Sequence, residues 1–258
     1  MKIKVLGLWG LETVGETPSF LLEFNTRKII LDACPALTKQ LWQAKVKLPE
    51  VSDVIISHVH ADHFQGLPYA IFARGVQARS YGEVAPIRVF GTKNTVESAK
   101  QLLKIFYPER TFEVNWKEVI PGQSYDLDDN IKLVTLLADH SVETLACKFI
   151  TQENKILAYS SDGLLSEKLI NFVKEADLLI QEAFGTMRDY EKIYKKLKHS
   201  LATHAGMIAV RANVHKLLLF HMHERYFSTK KRKEIISEVQ ENYSGEIIFP
   251  DDLSEVEL

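Results

Sequence analysis

The sequence contains one dense cluster of side chains that can bind metal ions. His58, His60, Asp62 and His63 form an H-x-H-x-D-H pattern, and imidazole and carboxylate groups bind Zn, Mn and Fe(II) alike. His58 and His60 are two residues apart, so on an extended segment both side chains point the same way. The turn that follows can direct Asp62 and His63 to a second position. One segment can therefore supply two ligands to each of two metal ions.

Three more residues of ligand type each follow a predicted strand: His140, Asp162 and His221. A lone histidine at a strand end is commonly structural, but the repeated placement alongside the cluster points to one shared site. Asp162 can bridge two ions through its two oxygens, and ions bridged about 3.5–4 Å apart can hold both the attacking and the leaving oxygen of a hydrolysis. The pattern predicts two divalent metal ions, with zinc favoured and manganese or iron as alternatives.

The residues around these donors alternate between strand and helix patterns. The predicted strands are Lys2–Leu8, Ser19–Phe24, Lys28–Leu31, Asp53–Ile56, Ile87–Phe90, Phe112–Trp116, Ile131–Ala138, Leu145–Thr151, Lys155–Tyr159, Asp177–Gln181, Lys216–Phe220 and Glu246–Ile248, with a turn at residues 25–27. The predicted helices are Leu37–Lys45, Gly66–Ala73, Thr92–Phe106, Ser166–Glu175, His199–Ala212 and Lys230–Glu241. The metal-binding cluster directly follows a short apolar run typical of a buried strand, and the carboxyl ends of such strands commonly carry the sites of α/β proteins.

Composition excludes several classes of protein. The 258 residues carry 32 Lys+Arg and 34 Asp+Glu, a net charge of −2, which excludes a globally basic nucleic-acid-binding protein. The two cysteines, Cys34 and Cys147, form no CxxC motif, which excludes a disulfide scaffold and favours the cytoplasm. No apolar run approaches the length of about 18 residues that a membrane helix needs, so no membrane partner is expected.

The order of the elements predicts the fold class. Two groups of strands, with helices between and after them, indicate an α/β protein with two sheets and outer helices, a four-layer αββα sandwich. No linker and no repeat divides the chain, so residues 1–258 are expected to form a single domain. The acidic C-terminal residues are expected to be a solvated or frayed end: Asp251, Asp252, Glu255 and Glu257.

The motifs resemble those of the metallo-β-lactamase-fold hydrolases. The H-x-H-x-D-H element, the later His140, the Ser-Asp-Gly at 161–163 and His221 carry this resemblance. Further segments resemble the ribonuclease Z group of phosphodiesterases: Asp139–Thr144, Leu178–Phe184, His199–Thr203, and Leu217–His221 followed by Arg225 and Tyr226. The resemblance extends from Met1 to about Phe249.

The resemblance implies a ligand set of seven residues. One ion would be bound by His58, His60 and His140, the other by Asp62, His63 and His221, with Asp162 as the bridge.

It also implies catalytic roles. His199 would lie beside the leaving group, and Glu182 would orient His199. Asp62 or Asp162 would orient the attacking hydroxide. Cleavage of a phosphodiester expels an alkoxide that needs a proton, and a histidine paired with a carboxylate can supply it near neutral pH.

Two features depart from ribonuclease Z proper. His140 and Asp162 are only 22 positions apart, where that group has a long arm that grips transfer RNA, and Gln181 stands where the group usually has a histidine. The expected substrate is therefore a small nucleotide-like phosphodiester or an RNA end rather than a precursor transfer RNA. A homodimer is compatible with the sequence.

Two alternative functions stay open at this point. A hydrolase of the same fold could act on a thioester, lactone or β-lactam, and would not need His199. A non-catalytic metal-binding or sensing domain would retain metal without turnover, because a closed site has no exchangeable position. Two basic runs near His199 and His221 could approach phosphates or could be solvated helix faces: Lys192, Lys195, Lys196 and Lys198, and Lys230, Lys231, Arg232 and Lys233.

Overall fold

The computed structural model describes residues 1–11, 13–25, 27–81 and 84–258. The strands are β1 (Lys2–Gly7), β2 (Ser19–Glu23), β3 (Lys28–Leu31), β4 (Asp53–Ile55), β5 (Ile87–Gly91), β6 (Val114–Glu118), β7 (Ser124–Asp128), β8 (Ile131–Leu137), β9 (Leu145–Thr151), β10 (Ile156–Tyr159), β11 (Leu178–Glu182), β12 (Lys216–Phe220), β13 (Glu246–Ile248) and β14 (Glu255–Glu257). The α-helices are α1 (Leu37–Gln43), α2 (Ala61–Phe64), α3 (Gly66–Ala78), α4 (Lys93–Phe106), α5 (Glu167–Phe172), α6 (Met187–Tyr190), α7 (Tyr194–Leu197), α8 (Ala202–Arg211) and α9 (Thr229–Gln240). Leu48–Glu50 and Glu224–Tyr226 form short 3-10 helices.

The first of two compact units comprises Met1–Gly7, Gly15–Val119 and Asp251–Glu257. Its described residues form a seven-stranded sheet in the order β14-β1-β2-β3-β4-β5-β6. In the sheet order, each strand from β14 to β3 is antiparallel to the next. Each strand from β3 to β6 is parallel to the next. Helices α1, α3 and α4 contribute Leu37, Leu67 and Ala99 to one buried apolar core with residues of these strands.

The second unit contains Leu8–Val14 and Ile120–Pro250. Its described residues form a seven-stranded sheet in the order β13-β12-β11-β10-β9-β8-β7. Each strand from β7 to β10 is antiparallel to the next one in this sequence. Each strand from β10 to β13 is parallel to the next. Every residue of β11 is buried, whereas burial alternates along β8, as expected for central and half-exposed strands.

The observed elements overlap every strand and helix predicted from the sequence, but two strands were missed. β7 pairs with β8, and the C-terminal residues predicted to be frayed form β14 on the edge of the first sheet. Lys4 and Lys2 of β1 pair with Glu255 at 2.7 Å and Glu257 at 3.6 Å, which is why an acidic end docks here. The predicted turn at residues 25–27 includes Thr26, which lies outside the described residues.

The described part of the chain has no helix that combines the length and the apolar character of a transmembrane segment. The single-domain organisation predicted for residues 1–258 stays a prediction at this stage.

Candidate metal centre

The H-x-H-x-D-H cluster lies where the sequence analysis placed it, at the carboxyl end of β4 in the first unit. β4 ends at Ile55, and His58 and His60 follow before α2 begins at Ala61, with His60 in extended conformation. The side chains of His58 and His63 are fully buried. Buried imidazoles need defined polar partners, because an unpaired buried polar group is costly.

Asp32, at the carboxyl end of the neighbouring strand β3, supplies those partners. Its carboxylate accepts hydrogen bonds from the backbone N–H of Ser57 at 2.6 Å and from the Ser57 hydroxyl at 2.8 Å. The same carboxylate lies 2.8 Å from Nδ1 of His63. Asp32 is fully buried and has a φ of 59°, a strained conformation of the kind that persists at functional sites.

This network defines the protonation of two ring nitrogens. A carboxylate only accepts, so Nδ1–H of His63 donates to Asp32. The single Ser57 proton also goes to Asp32, so Nδ1–H of His58 donates to the Ser57 oxygen at 2.9 Å. In both neutral histidines the lone pair is therefore on Nε2, the atom that could bind a metal ion.

The donor atoms of this unit have the spacing of ligands that share an ion. Nε2 of His58 lies 3.1 Å from Nδ1 of His60, and Nε2 of His63 lies 3.5 Å from Oδ2 of Asp62. Two ligands bound tetrahedrally to zinc at about 2.0–2.1 Å lie roughly 3.4 Å apart. The cluster therefore offers two pairs of donors, and their assignment to two ions stays a prediction.

In the second unit, the donors also lie at the carboxyl edge of the sheet. Asp162 follows β10 and His221 follows β12, and both strands run parallel to β11 between them, which ends at Glu182. His140 follows β8, and since β8 and β10 are both antiparallel to β9, β8 ends at the same edge. Parallel neighbours about 4.8 Å apart bring side chains from distant positions together.

Asp162 is the centre of this group. Its Oδ2 lies 3.2 Å from Nε2 of His221 and 4.0 Å from Nε2 of His140. Asp162 is 1% exposed and His221 is 3% exposed. One carboxylate thus faces two imidazoles that the family resemblance assigns to different ions, as a bridging ligand would.

The orientation of His140 is fixed by the backbone. Its Nδ1–H donates to the carbonyl oxygen of Lys198 at 2.9 Å, so the lone pair of the neutral ring is on Nε2. Burial lowers the pKa of His140 below its usual range, against the opposing effect of the nearby Asp162 carboxylate. The neutral imidazole, which is the form that binds metals, is thereby favoured.

His199 and Glu182 contact each other directly. Nδ1 of His199 is hydrogen-bonded to Oε1 of Glu182. The other carboxylate oxygen of Glu182 accepts from the backbone N–H of Gly163 at 3.0 Å and of Ser200 at 2.9 Å. Glu182 is fully buried, so its oxygens have defined positions, and with Nδ1–H donated to Glu182 the neutral ring has its lone pair on Nε2.

Two ring contacts hold the plane of His199. Phe184 stacks on it with centroids 4.8 Å apart and an interplanar angle of 13°, and His221 stacks with 5.1 Å and 18°. Nδ1 of His199 lies 3.9 Å from Oδ2 of Asp162, so His199 is next to the donor group. An oriented histidine beside a carboxylate-rich site is well placed to move a proton.

The donor set fits divalent metal ions. In the second unit, Asp162 and His221 each offer a donor atom within 4.8 Å of the other, and Glu182 and His199 lie beside them within the same distance. Imidazole nitrogens, carboxylate oxygens and no thiolate suit Zn, Mn or Fe(II). The hydrogen bonds from the far nitrogens of His58, His63 and His140 are the usual support for metal-ligating histidines.

The sequence analysis missed Asp32, Ser57 and Phe184. Asp32 directly follows the apolar strand Lys28–Leu31, the same placement that singled out Asp162 and His221, so the signal was present. Ser57 and Phe184 carry no such signal, because their roles depend on neighbours that only the folded chain supplies. Gln181 is buried and donates from its amide nitrogen to the Glu182 carbonyl at 3.1 Å.

The support of His63 by Asp32 can be tested. Asp32→Asn removes the carboxylate that holds Nδ1–H, and we expect metal affinity to fall about 10–100-fold, the usual effect of losing such a partner. Competition with a chromogenic chelator measures it. Asp53→Asn is the matched control: Asp53 is equally buried but lies at the opposite end of β4, paired with Arg27 and Arg88. Equal losses in both folded variants would contradict the role of Asp32.

Two mixed sheets with helices, and histidine and aspartate donors at the carboxyl ends of strands, define an α/β protein with a candidate metal site. The family described as the β-lactamase superfamily domain matches residues 27–222, more than half of the chain, and the protein belongs to this family.

Three proteins illustrate the similarity. A ribonuclease Z from Leuconostoc mesenteroides is 21% identical, over 90% of this chain and 87% of its own length. The metallo-β-lactamase fold protein YhfI from Bacillus subtilis has a TM-score of 0.83 and 22% identity, covering 99% of this chain and 98% of that one. Human tRNase Z, short form, has a TM-score of 0.81 and 19% identity, with 100% and 99% covered.

These similarities confirm the predicted α/β class, the metallo-β-lactamase fold and the resemblance to the ribonuclease Z group.

Proposed function

We propose that this protein is a metal-dependent phosphodiesterase of the ribonuclease Z-like kind. The observation that carries the proposal is the pair of His199 and Glu182 beside Asp162. Expulsion of an alkoxide from a phosphodiester requires such a proton donor, whereas expulsion of a thiolate from a thioester does not. The relative named ribonuclease Z and the structure named tRNase Z support the same class of reaction.

Seven side chains would hold two divalent ions, for which zinc is the favoured metal. In this proposal one ion would be bound by His58, His60 and His140. The other would be bound by Asp62, His63 and His221, and Asp162 would be a ligand of both. The assignment rests on the family resemblance and is supported by the donor spacings within each unit.

When bound, the ions supply Lewis-acid stabilisation of the phosphoryl oxygens and lower the pKa of a bound water. The protein's own groups provide the rest of the chemistry. Asp62 would orient the attacking water, and its backbone carbonyl is fixed by the Thr17 hydroxyl at 2.7 Å. His199 would give a proton from Nε2 to the leaving oxygen, while Glu182 holds Nδ1–H and stabilises the charged ring.

The substrate we propose is a small nucleotide-like phosphodiester or an RNA end. Between His140 and Asp162 the chain forms only β9, β10 and their connections, which leaves no arm to grip a transfer RNA. Lys198, from the basic run before His199, is paired with Asp139 at 2.7 Å. Cytoplasmic location and a homodimer stay predictions.

The proposal is tested by comparing substrates on the metal-replete protein. We expect turnover of bis(p-nitrophenyl) phosphate, with weaker turnover of a thioester and of a chromogenic β-lactam. A precursor transfer RNA should be cleaved more slowly than a small diester. Preference for the thioester or the lactam would contradict the proposed phosphodiesterase activity. Specific cleavage on the 3′ side of a precursor transfer RNA would contradict the proposal of a small substrate.

A further inference from the structure

A cavity of about 480 Å³ lies in the first unit, away from the metal donors. It is bounded by the last turns of α3, by the start of β5 and by the segment that leads into β6. The residues that matter for its chemistry are Arg74, Arg79, Arg110, Phe72 and Phe112. Its volume is in the range of small-molecule sites.

The cavity and the cluster from His58 to His63 are at opposite edges of the first sheet. β4, β5 and β6 are parallel, the cluster from His58 to His63 follows the carboxyl end of β4, and the cavity adjoins Ile87, the first residue of β5. Helix α3 starts three residues after His63 and runs for 13 residues, about 20 Å, to the far edge. A ligand in the cavity would therefore be separate from the metal centre.

Arg74 gives the cavity its chemical character. This side chain is only 8% exposed. Among the residues that the structure describes, its Nη2 donates to the carbonyl oxygen of Ala85 at 2.9 Å, and its Nε has no hydrogen-bond partner. Burial lowers the pKa of Arg74, yet guanidinium stays charged in proteins. A buried cation with no carboxylate partner in the described residues is costly unless an anion binds it.

The surroundings of Arg74 narrow the class of anion. The exposed Arg79 and Arg110 add positive charge at the rim, while the exposed Glu109 and Glu113 also line the cavity. Among the described residues that line the cavity, three arginines against two glutamates favour a ligand with a single phosphate over a polyanion such as RNA. Guanidinium binds phosphate with two parallel hydrogen bonds.

An aromatic wall lies beside these charges. Phe72 stacks on Tyr107 with centroids 4.6 Å apart and an interplanar angle of 8°, and the Arg110 guanidinium lies 5.1 Å from the Phe72 ring centroid. Phe112 packs edge-on against Tyr107 at 5.6 Å. Phe72 and Phe112 are half-buried and line the cavity, so an apolar group in the cavity can bury surface against them.

We propose that this cavity is a second ligand site, for a small phosphomonoester with an aromatic or other flat apolar body. The phosphate is bound by Arg74, with Arg79 and Arg110 assisting from the rim, and the body lies against Phe72 and Phe112. The site binds its ligand independently of the metal centre.

Isothermal titration calorimetry of the metal-replete, full-length protein with phenyl phosphate tests the proposal. We expect saturable binding that is retained in Asp162→Ala and weakened by about tenfold or more in Arg74→Gln, the scale of losing a charge-assisted hydrogen bond. Lys104→Gln, which removes an exposed charge of α4 outside the cavity, should leave the affinity unchanged. Benzoate, with the same ring and a carboxylate, should bind more weakly than phenyl phosphate.

Several results would overturn the proposal. Unchanged affinity in folded Arg74→Gln, or loss of all binding in Asp162→Ala, would show that phenyl phosphate binds elsewhere. Equal affinity for benzoate would remove the preference for phosphate. If Arg74→Gln does not fold, Arg79→Gln and Arg110→Gln decide: each should weaken binding about two- to fivefold, the range for exposed charges, and no weakening in either would contradict the site.

Discussion

Replacing His199 with alanine should lower kcat for a phosphodiester with an alkyl leaving group by roughly 10²–10⁴-fold, the usual effect of losing a positioned general acid. The reason is the contact with Glu182, which leaves Nε2 as the atom that exchanges a proton. A p-nitrophenolate leaving group needs that proton much less. The same variant should therefore lose far less activity on bis(p-nitrophenyl) phosphate, and a steady-state comparison of the two substrates measures the difference.

His215→Ala is the matched control for this experiment. His215 precedes β12, whereas His221 follows it, and its side chain is 61% exposed, so its loss should leave both activities unchanged. Metal content of His199→Ala should equal that of the unsubstituted protein, since the proposal does not use His199 as a ligand. Equal losses on both substrates would point to a positioning role and would remove His199 as the acid.

Replacing Asp162 with alanine should lower the occupancy of both ions, because the proposal makes this carboxylate a ligand of each. Elemental analysis of protein purified without chelators should fall from nearly two ions per chain towards none. Activity should fall on the order of 10³-fold or more, since metal ions supply several kcal/mol of transition-state stabilisation. The structural basis for this prediction is the position of Asp162, whose Oδ2 lies close to Nε2 of both His221 and His140.

Asp177→Ala controls for the loss of a partly buried aspartate in the same sheet. Asp177 immediately precedes β11, at the opposite edge from Asp162, and is paired with Lys155 at 2.7 Å. This variant should keep both ions. An Asp162→Ala protein that still retains two ions would refute the bridging assignment, and one that loses a single ion would reduce Asp162 to a ligand of one site.

Local patterns in the sequence were sufficient to predict most of the fold. Apolar runs such as Lys28–Leu31 and Lys216–Phe220 were predicted with the bounds that the structure shows, because strands buried in a sheet need continuous apolar residues. β7 and β14 were missed because both are polar strands at sheet edges, Ser124–Asp128 and Glu255–Glu257. Their pairing depends on a neighbouring strand, which periodicity along one segment does not encode.

Some features of the candidate site could likewise be predicted from the sequence, and others depend on the tertiary structure. The H-x-H-x-D-H spacing by itself was sufficient to predict a candidate metal-binding cluster at a strand end, because ligand chemistry and side-chain direction follow from residue type and separation. Only the tertiary structure decided that Asp32 orients His63 and Ser57, that Glu182 contacts His199, and that Arg74 is buried beside a cavity. These contacts join residues 17 to 31 positions apart or enclose one residue among several segments. The contacts of Asp32 arise because the parallel strands β3 and β4 bring their carboxyl ends together, and the order in which strands pair is a property of the folded sheet.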